Sequence, residues 1–429
     1  MLVKPSALPS IAAAALLAFA LLLLAPWASS PTAAQSNQGD AVTRGQQLLG
    51  CAHGEKPETT YQDCTALIEA GAAKGKTLAL IYLNRANALD RMGKDEEALA
   101  DYAAALKIDP TNASIYYNRA IAYERMREPK KALEDYGQAI KTDPKYAEAY
   151  VNRSALLIQM GEAKAALADL NTAAVLTPNA PLVYQNRGDA YEALKDHEKA
   201  VADYDKALSL EPRSAGLHYS RGVALMELGK RERARSDFDA ALKLNPGLVP
   251  ARQARGILAF QAGNRQQAET DFTEVLKSEP ENRIALTALA DIAMGSQHWF
   301  KALEFLNRLI AEAPDDGPAY NDRAWSYFNV DELTKALADA EKAVQLSPGN
   351  GHIQDTYGWV LCRKGDAQQA EAAFDKALEQ GAPDAKAYQT RLQKAGYYSG
   401  AIDGAFGRGS KAALSAWVAA SCPESKPAE

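Results

Sequence analysis

The sequence predicts an all-α protein, a solenoid of nine stacked helix hairpins with a cap hairpin before them and a small helical module after them. Three observations carry this. Cut every 34 residues from Ala79, the chain needs no insertion to keep alanine in one column: Ala98, Ala132, Ala166, Ala200, Ala234, Ala268, Ala302, Ala336 and Ala370. Eight prolines, from Pro110 to Pro348, hold the same spacing and each is placed to end a second helix, while Pro383 misses the register by one residue. Within a unit such as ASIYYNRAIAYERMREPKKALEDYGQAIKTDPKY (113–146), apolar residues recur at three and four, the pattern of amphipathic helices. A helix pair of this kind cannot bury its apolar face alone, so the units must stack.

The elements follow in order. Residues 1–34 carry one charge, Lys4, an apolar run from Ile11 to Ala25, and small residues ending at Ala33-Ala34, which is the grammar of a signal peptide. The apolar run is shorter than the roughly 20 residues a spanning helix needs, so cleavage near Ala34 and no membrane span are expected, with an uncleaved anchor as the alternative. Either way the body leaves the cytoplasm. Leu48-Leu49-Gly50-Cys51 has the form of a lipoprotein acylation box, but a long, mostly polar stretch separates it from the apolar run. Residues 35–78 are read as linker and cap hairpin, 79–384 as nine repeats, 385–422 as a compact module and 423–429 as a disordered tail.

The formal net charge is −6, or −7 once Lys4 is removed with residues 1–34, and no basic block would track phosphates. Nucleic acid is therefore not an expected partner. Four cysteines, Cys51, Cys64, Cys362 and Cys422, are an even number in an exported chain, which makes disulfides the default reading.

Two columns of the repeat carry structural information of their own. Position 8 is always small (Ala86, Ala120, Ser154, Gly188, Gly222, Gly256, Ala290, Ala324, Gly358), which would let the first helix approach the alanine at position 20 of the second. Position 7 is arginine in seven repeats (Arg85, Arg119, Arg153, Arg187, Arg221, Arg255, Arg323), and the same seven carry aspartate at position 23 (Asp101, Asp135, Asp169, Asp203, Asp237, Asp271, Asp339). Repeat 7 loses both together, to Leu289 and Phe305, and repeat 9 likewise, to Tyr357 and Ala373. Covariation between the chain's own repeats argues contact. Salt bridges within repeats, structural in role, are expected, and repeat 7 (283–316), which lacks the pair, is a candidate hinge.

A large residue at position 4, small at 8, alanine at 20, aromatic at 24 and proline at 32 resemble the tetratricopeptide repeat, over most of the chain. The resemblance implies a right-handed superhelix whose concave groove binds extended peptides. In that family position 6 faces the groove; here it reads Asn84, Asn118, Asn152 and Asn186 before lapsing to Ser220, Ala254 and Ala288. A row of amides can hydrogen-bond a peptide backbone whatever its side chains are, and the row is similar to the asparagine ladder of O-GlcNAc transferase. Trp325 and Trp359 hold position 9, also groove-facing in the family, where they could meet a ligand or pack on their own helices. Extending the frame backwards puts Cys51 at position 7 and Cys64 at position 20, facing positions of a degenerate hairpin, so a Cys51–Cys64 bridge is expected, with free buried cysteines as the alternative. Cys362 and Cys422 would then be the remaining pair.

Beyond Ala385 the period stops. Leu392, Gly396-Tyr397-Tyr398, Gly400, Ile402-Asp403-Gly404, Phe406-Gly407, Ser410, Ala413-Leu414 and Trp417 resemble the small peptidoglycan-binding module found beside bacterial wall hydrolases, with Trp417 where that family usually has phenylalanine. The resemblance implies glycan contacts at Tyr397, Tyr398 and Phe406. So short a segment buries little surface and should dock on the last repeat, where it could equally serve as the cap that a solenoid needs.

The five histidines are scattered, and no HExxH, GxSxG, Walker or dinucleotide motif occurs, so no catalytic residue, metal site or cofactor is expected. The reading is a periplasmic or secreted envelope scaffold that binds protein or peptide partners in its groove, with peptidoglycan as a further partner. The alternative is a wall-associated protein whose main ligand is glycan, accessory to wall hydrolysis or synthesis.

Overall fold

The computed structural model describes residues 43–381 and 383–423, so the expected signal peptide, the start of the linker and nearly all of the expected tail lie outside the described residues. Among the described residues all regular structure is helical. They fall into two compact bodies divided between Arg213 and Ser214. The first holds a cap hairpin and repeats 1–4; the second holds repeats 5–9 and the C-terminal module.

In the cap, a helix through residues 43–53 is disulfide-bonded through Cys51 to Cys64 of the helix Pro57–Glu69. Cys51, the last residue of the acylation-box look-alike, is thus buried and oxidised. Repeat 1 follows with Gly75–Arg91 and Asp95–Ile108. From repeat 2 to repeat 8 a first helix of 13 residues alternates with a second of 14, as in Ala113–Arg125 and Pro129–Thr142.

The turn inside each hairpin is the sharpest local constraint. Position 15 takes a left-handed backbone in all nine repeats: at Gly93, Gly161, Gly229, Gly263 and Gly365, but also at Arg127, Lys195, Gln297 and Asp331, with φ between 58° and 85°. The conformation lets the next amide reach back, as Lys94 N–H does to the Leu89 carbonyl at 2.9 Å, and so satisfies a carbonyl the helix leaves open. Glycine is cheap there and the four other residues are not.

The core is a line of side chains between hairpins. In the first body Val151, Leu157, Leu170 and Ala173 of repeat 3 close on Val183 and Ala190 of repeat 4. The small residue at position 8 plays a different part from the one expected of it. A Cβ added to Gly188, Gly222 or Gly358 would stand 2.6 Å from a ring carbon of Tyr204, Phe238 or Phe374. Position 8 is therefore cut back to admit the ring at position 24, because an aromatic edge needs more room than the position-20 methyl.

All seven arginine–aspartate pairs form within their repeats. Each guanidinium gives Nε and Nη2 to the two carboxylate oxygens, for instance Arg153 to Asp169 at 2.7 and 2.6 Å, and every one of these aspartates is buried. The remaining Nη1 links neighbours: Arg187 reaches Asn171 at 3.1 Å, Arg255 reaches Asp239 at 2.6 Å and Arg323 reaches Asn307 at 2.9 Å, each partner lying in the preceding repeat. One planar fork thus closes a hairpin and ties it to the one before, a geometry that lysine cannot copy.

Repeat 7 is no hinge. Leu289 and Phe305, which replace its ion pair, are buried in one apolar cluster that runs from Phe272 and Val275 of repeat 6 through Leu306 and Leu309 to Ala319 of repeat 8. Losing the charges gives repeat 7 a continuous oily seam with both neighbours, and dense apolar packing resists bending.

Candidate functional site

The four asparagines at position 6 lie in the first body, all half-buried, one on each first helix of repeats 1–4. Their surroundings differ. Asn84 stands at a small recess with Leu48, Cys51, Leu80 and Ile81, where cap and repeat 1 meet. Asn152 gives its amide to the Tyr117 hydroxyl at 3.0 Å, one repeat back. Tyr117 titrates well above the ordinary phenol range because it is desolvated. Asn152 is thus partly committed to the scaffold.

In the second body Trp325 is stacked on Phe328 with ring centroids 5.1 Å apart. Trp359 meets Trp417 edge-on at 5.0 Å and Phe374 at 6.2 Å, with the Arg391 guanidinium over its ring at 5.0 Å. Both rings meet Phe328, Trp359 edge-on at 6.4 Å, but only Trp359 belongs to the seat of the C-terminal module.

That module comprises Ala385–Lys394, a glycine-rich loop, and Arg408–Ala419. Tyr388, Leu392, Leu414, Trp417 and Val418 are buried in one cluster with Leu361, Ala370 and Phe374 of repeat 9, and Cys362 is disulfide-bonded to Cys422. Asp355 of repeat 9 receives Arg391 at 2.9 Å and the Tyr388 hydroxyl at 2.6 Å. The loop hangs on a residue that the motif reading missed. Gln389, fully buried, donates to Asp403 at 2.9 Å and to the Ala405 carbonyl at 3.2 Å, and accepts from Gly404 N–H at 2.8 Å. The Gln389 bond holds the Asp403 carboxyl below its ordinary range. Tyr397, Tyr398 and Phe406 are half-buried and pack against the docking cluster; Phe406 lies edge-on to Tyr388 at 6.1 Å, and the Tyr398 hydroxyl donates to the Ala401 carbonyl at 3.0 Å.

A second place on the repeat face has no counterpart among the sequence-read sites. The first helices of repeats 6 and 7 border an open cleft of about 530 Å³, lined by Phe260, Arg283, Ile284, Thr287, Ala288 and Asp291. Ile284, Thr287, Ala288 and Asp291 follow at i, i+3, i+4 and i+7, so they form one helix face. One repeat on, Asn321, Asp322 and Trp325 take the places of Thr287, Ala288 and Asp291. Burial, with repulsion from Asp291 and Asp316, pushes the Asp322 carboxyl up to about 6. Burial raises Asp291 as well. The signal was present in the columns, since position 6 turns from amide to carboxylate at Asp322.

Stacked helix pairs with side chains in register define a helical-repeat scaffold, a class of binding fold that is typically without catalysis. Family models described as "TPR repeat" match residues 86–126 and 188–229, and models described as "Tetratricopeptide repeat" match 113–146, 215–248, 259–322 and 317–350. The chain belongs to the tetratricopeptide-repeat family. Residues 381–417 match the model described as "Putative peptidoglycan binding domain".

Among curated proteins, Protein SGT1 homolog of Bos taurus is 33% identical over 78 residues, 18% of this chain and 21% of that protein. Its Homo sapiens counterpart is 32% identical over 78 residues, 18% and 20% of the two chains. The chain thus spans about a fifth of the length of the curated relatives it matches. Among solved structures, MamA is 26% identical with a TM-score of 0.37, covering 39% of this chain and 92% of that one. YrrB, titled a TPR protein with an unusual peptide-binding site, is 24% identical at 0.39, covering 44% and 96%. Pseudomonas aeruginosa pilF is 22% identical at 0.43, covering 47% and 92%.

Proposed function

We propose that this protein is an exported scaffold of the bacterial cell envelope that binds extended segments of partner proteins along the first-helix faces of its repeats and is held to peptidoglycan by its C-terminal module. The observation that carries the reading is the joining of two binding folds. A module matched to peptidoglycan binding is seated on the last repeat by a buried aromatic cluster, an Asp355–Arg391 ion pair and a disulfide. The two disulfides support an oxidising compartment, since such bonds persist outside the cytosol. Among the described residues no helix is long and apolar enough to cross a membrane.

In this reading Asn84, Asn118 and Asn186 hydrogen-bond a partner's backbone, Trp325 offers a flat apolar surface, and Tyr397, Tyr398 and Phe406 meet glycan. The alternative, a wall-associated protein whose chief ligand is glycan, is favoured by the same module match alone. Two measurements separate them. The mature protein should co-sediment with purified sacculi, and should also recover defined proteins from periplasmic extract in a manner that Asn118→Ala weakens. Sedimentation without any recovered protein would turn the reading to the alternative; recovery without sedimentation would leave the module a cap.

A further inference from the structure

Among the described residues most desolvated carboxylates have an arginine or a hydroxyl donor, as Asp109 has Thr111 and Asp189 has Tyr204, but Asp291 and Asp322 have neither. The seven position-23 aspartates each hold an arginine, and Asp355 holds Arg391. Asp291 and Asp322, on the first helices of repeats 7 and 8, make no ion pair among the described residues. Asp322 has only the Asn321 amide at 3.2 Å. Beside it the Asn321 side-chain oxygen is buried and finds no hydrogen-bond donor. A buried acceptor without a donor is destabilising, and desolvated carboxylates add to that. Here two desolvated carboxylates, Asp291 acting on Asp322, stand without a cation, with an unsatisfied amide oxygen beside the second.

Asp291 lines the cleft between the first helices of repeats 6 and 7, and its charge reaches Asp322 one repeat on. Phe260 and Ile284 are 37% and 48% exposed, an apolar wall beside the Asp291 carboxylate. The nearby cation, Arg283, is occupied by Asp316 at 2.9 Å. Apolar walls leading to carboxylates suit a long basic side chain, whose methylenes lie on the walls while its charged head meets the acceptors. The geometry points to a subsite for a basic side chain, lysine or arginine, of an extended protein segment, formed by Phe260, Ile284, Asp291, Asn321 and Asp322. This rests on the reading of the repeat face as the partner-binding surface and specifies what one part of that surface selects. The raised Asp322 fits it, because a group kept reluctant to ionise in the free protein is relieved when a cation arrives.

The test uses the full mature chain and a blocked nonapeptide, Gly-Ser-Ser-Leu-Lys-Leu-Ser-Ser-Gly, with norleucine, arginine or glutamate replacing the central lysine, titrated by calorimetry. The lysine or arginine peptide should bind at least tenfold more tightly than the norleucine peptide, and the glutamate peptide weakest of all. In Asp291→Asn and Asp322→Asn the preference should shrink to within about twofold. Asp322→Asn should also melt above the parent, since it removes an unpaired desolvated charge; a role in folding would lower the melting temperature instead. Equal binding of the lysine and norleucine peptides overturns the subsite while leaving the groove as a peptide surface. Absence of lysine-dependent binding up to millimolar peptide, or a destabilised Asp322→Asn, overturns it too. Failure of the wider reading would show separately, as loss of partner recovery from extract.

Discussion

Truncating one arginine of the ladder, Arg153→Ala, should be far more damaging than its surface location suggests. Arg153 is 26% exposed as a side chain but its partner Asp169 only 7%, and both carboxylate oxygens are taken by the same guanidinium at 2.6–2.7 Å. Removing the arginine leaves a buried carboxylate without its counter-ion, a loss of about 3–5 kcal/mol for a buried pair; with the partial exposure of Arg153, about 3 kcal/mol is expected. Repeat 7 shows how the loss is repaired. It carries Leu289 and Phe305 in place of the pair and has Leu306 at position 24, just as repeat 3 has Leu170. The double variant Arg153→Leu, Asp169→Phe should therefore return to within about 1 kcal/mol of the parent, since apolar replacement of a buried pair is often neutral. Long arrays need not unfold in two states, so the assay is native-state hydrogen exchange of Ala147–Gln159 and Ala163–Leu176. The single variant should exchange roughly a hundredfold faster there at 1.4 kcal/mol per decade, and the double variant close to parental rates. A double variant as weak as the sum of the singles would refute the claim that the two chemistries are interchangeable at this layer.

Other outcomes follow from the same structure. Cys422→Ser opens a bridge between residues 60 apart, about 4 kcal/mol of chain entropy at most, so limited proteolysis should cut between Ala385 and Pro423 while the repeats resist; full protection would mean that the apolar seat of Trp417 suffices. Asn118→Ala should leave stability within about 0.5 kcal/mol, whereas Asn152→Ala should cost about 1 kcal/mol because the Tyr117 hydroxyl loses its amide, a contrast that thermal melting of the two variants would show or deny. Gln297→Gly and Asp331→Gly should each stabilise by about 0.5–1 kcal/mol by relieving a left-handed backbone, and a lowered melting temperature would contradict that. For Asp322 the folded pKa, about 6, lies above the unfolded carboxylate's, about 4. The protonated form is favoured by folding, so its stability contribution is whole below pH 4 and is lost as pH rises through 6. The charged groups that act on it are Asp291 and Asp316, the latter paired with Arg283. Melting curves of Asp322→Asn should lack the decline that the parent shows across that window.

The hairpins were legible because a repeat supplies its own internal comparison. Nine alanines, eight prolines and seven arginine–aspartate pairs in phase read as contacts without any second sequence. What escaped notice was the chemistry carried between columns. The third use of the arginine, toward Asn171, Asp239 and Asn307, lay in position 25, a column too variable to attract attention. The supposed hinge in repeat 7 misled because loss of a polar pair was equated with weakness, when Leu289 and Phe305 supply burial in its place. Gln389 could not have been found by motif, since its work is to hold Gly404, Asp403 and Ala405 from across the loop, a purely three-dimensional task. The unsatisfied oxygen of Asn321 and the missing counter-ion of Asp322 stayed hidden for the opposite reason, because only a folded chain reveals which polar groups lack a partner.

The two covalent bridges have a consequence for how the molecule comes apart. In a linear array each inner hairpin is buttressed on both sides and a terminal one on a single side, so melting starts where a neighbour is missing. Each body carries its disulfide away from the Arg213–Ser214 division: Cys51–Cys64 within the cap, and Cys362–Cys422 from repeat 9 to the module. These hairpins would otherwise fray first, and their unzipping is tied to a chemical event rather than to heat alone. The polar, solvent-facing hairpin turns between them need no such fastening. Longevity in the compartment where the chain works would then be set less by the average strength of its repeats than by the redox poise around four sulfur atoms.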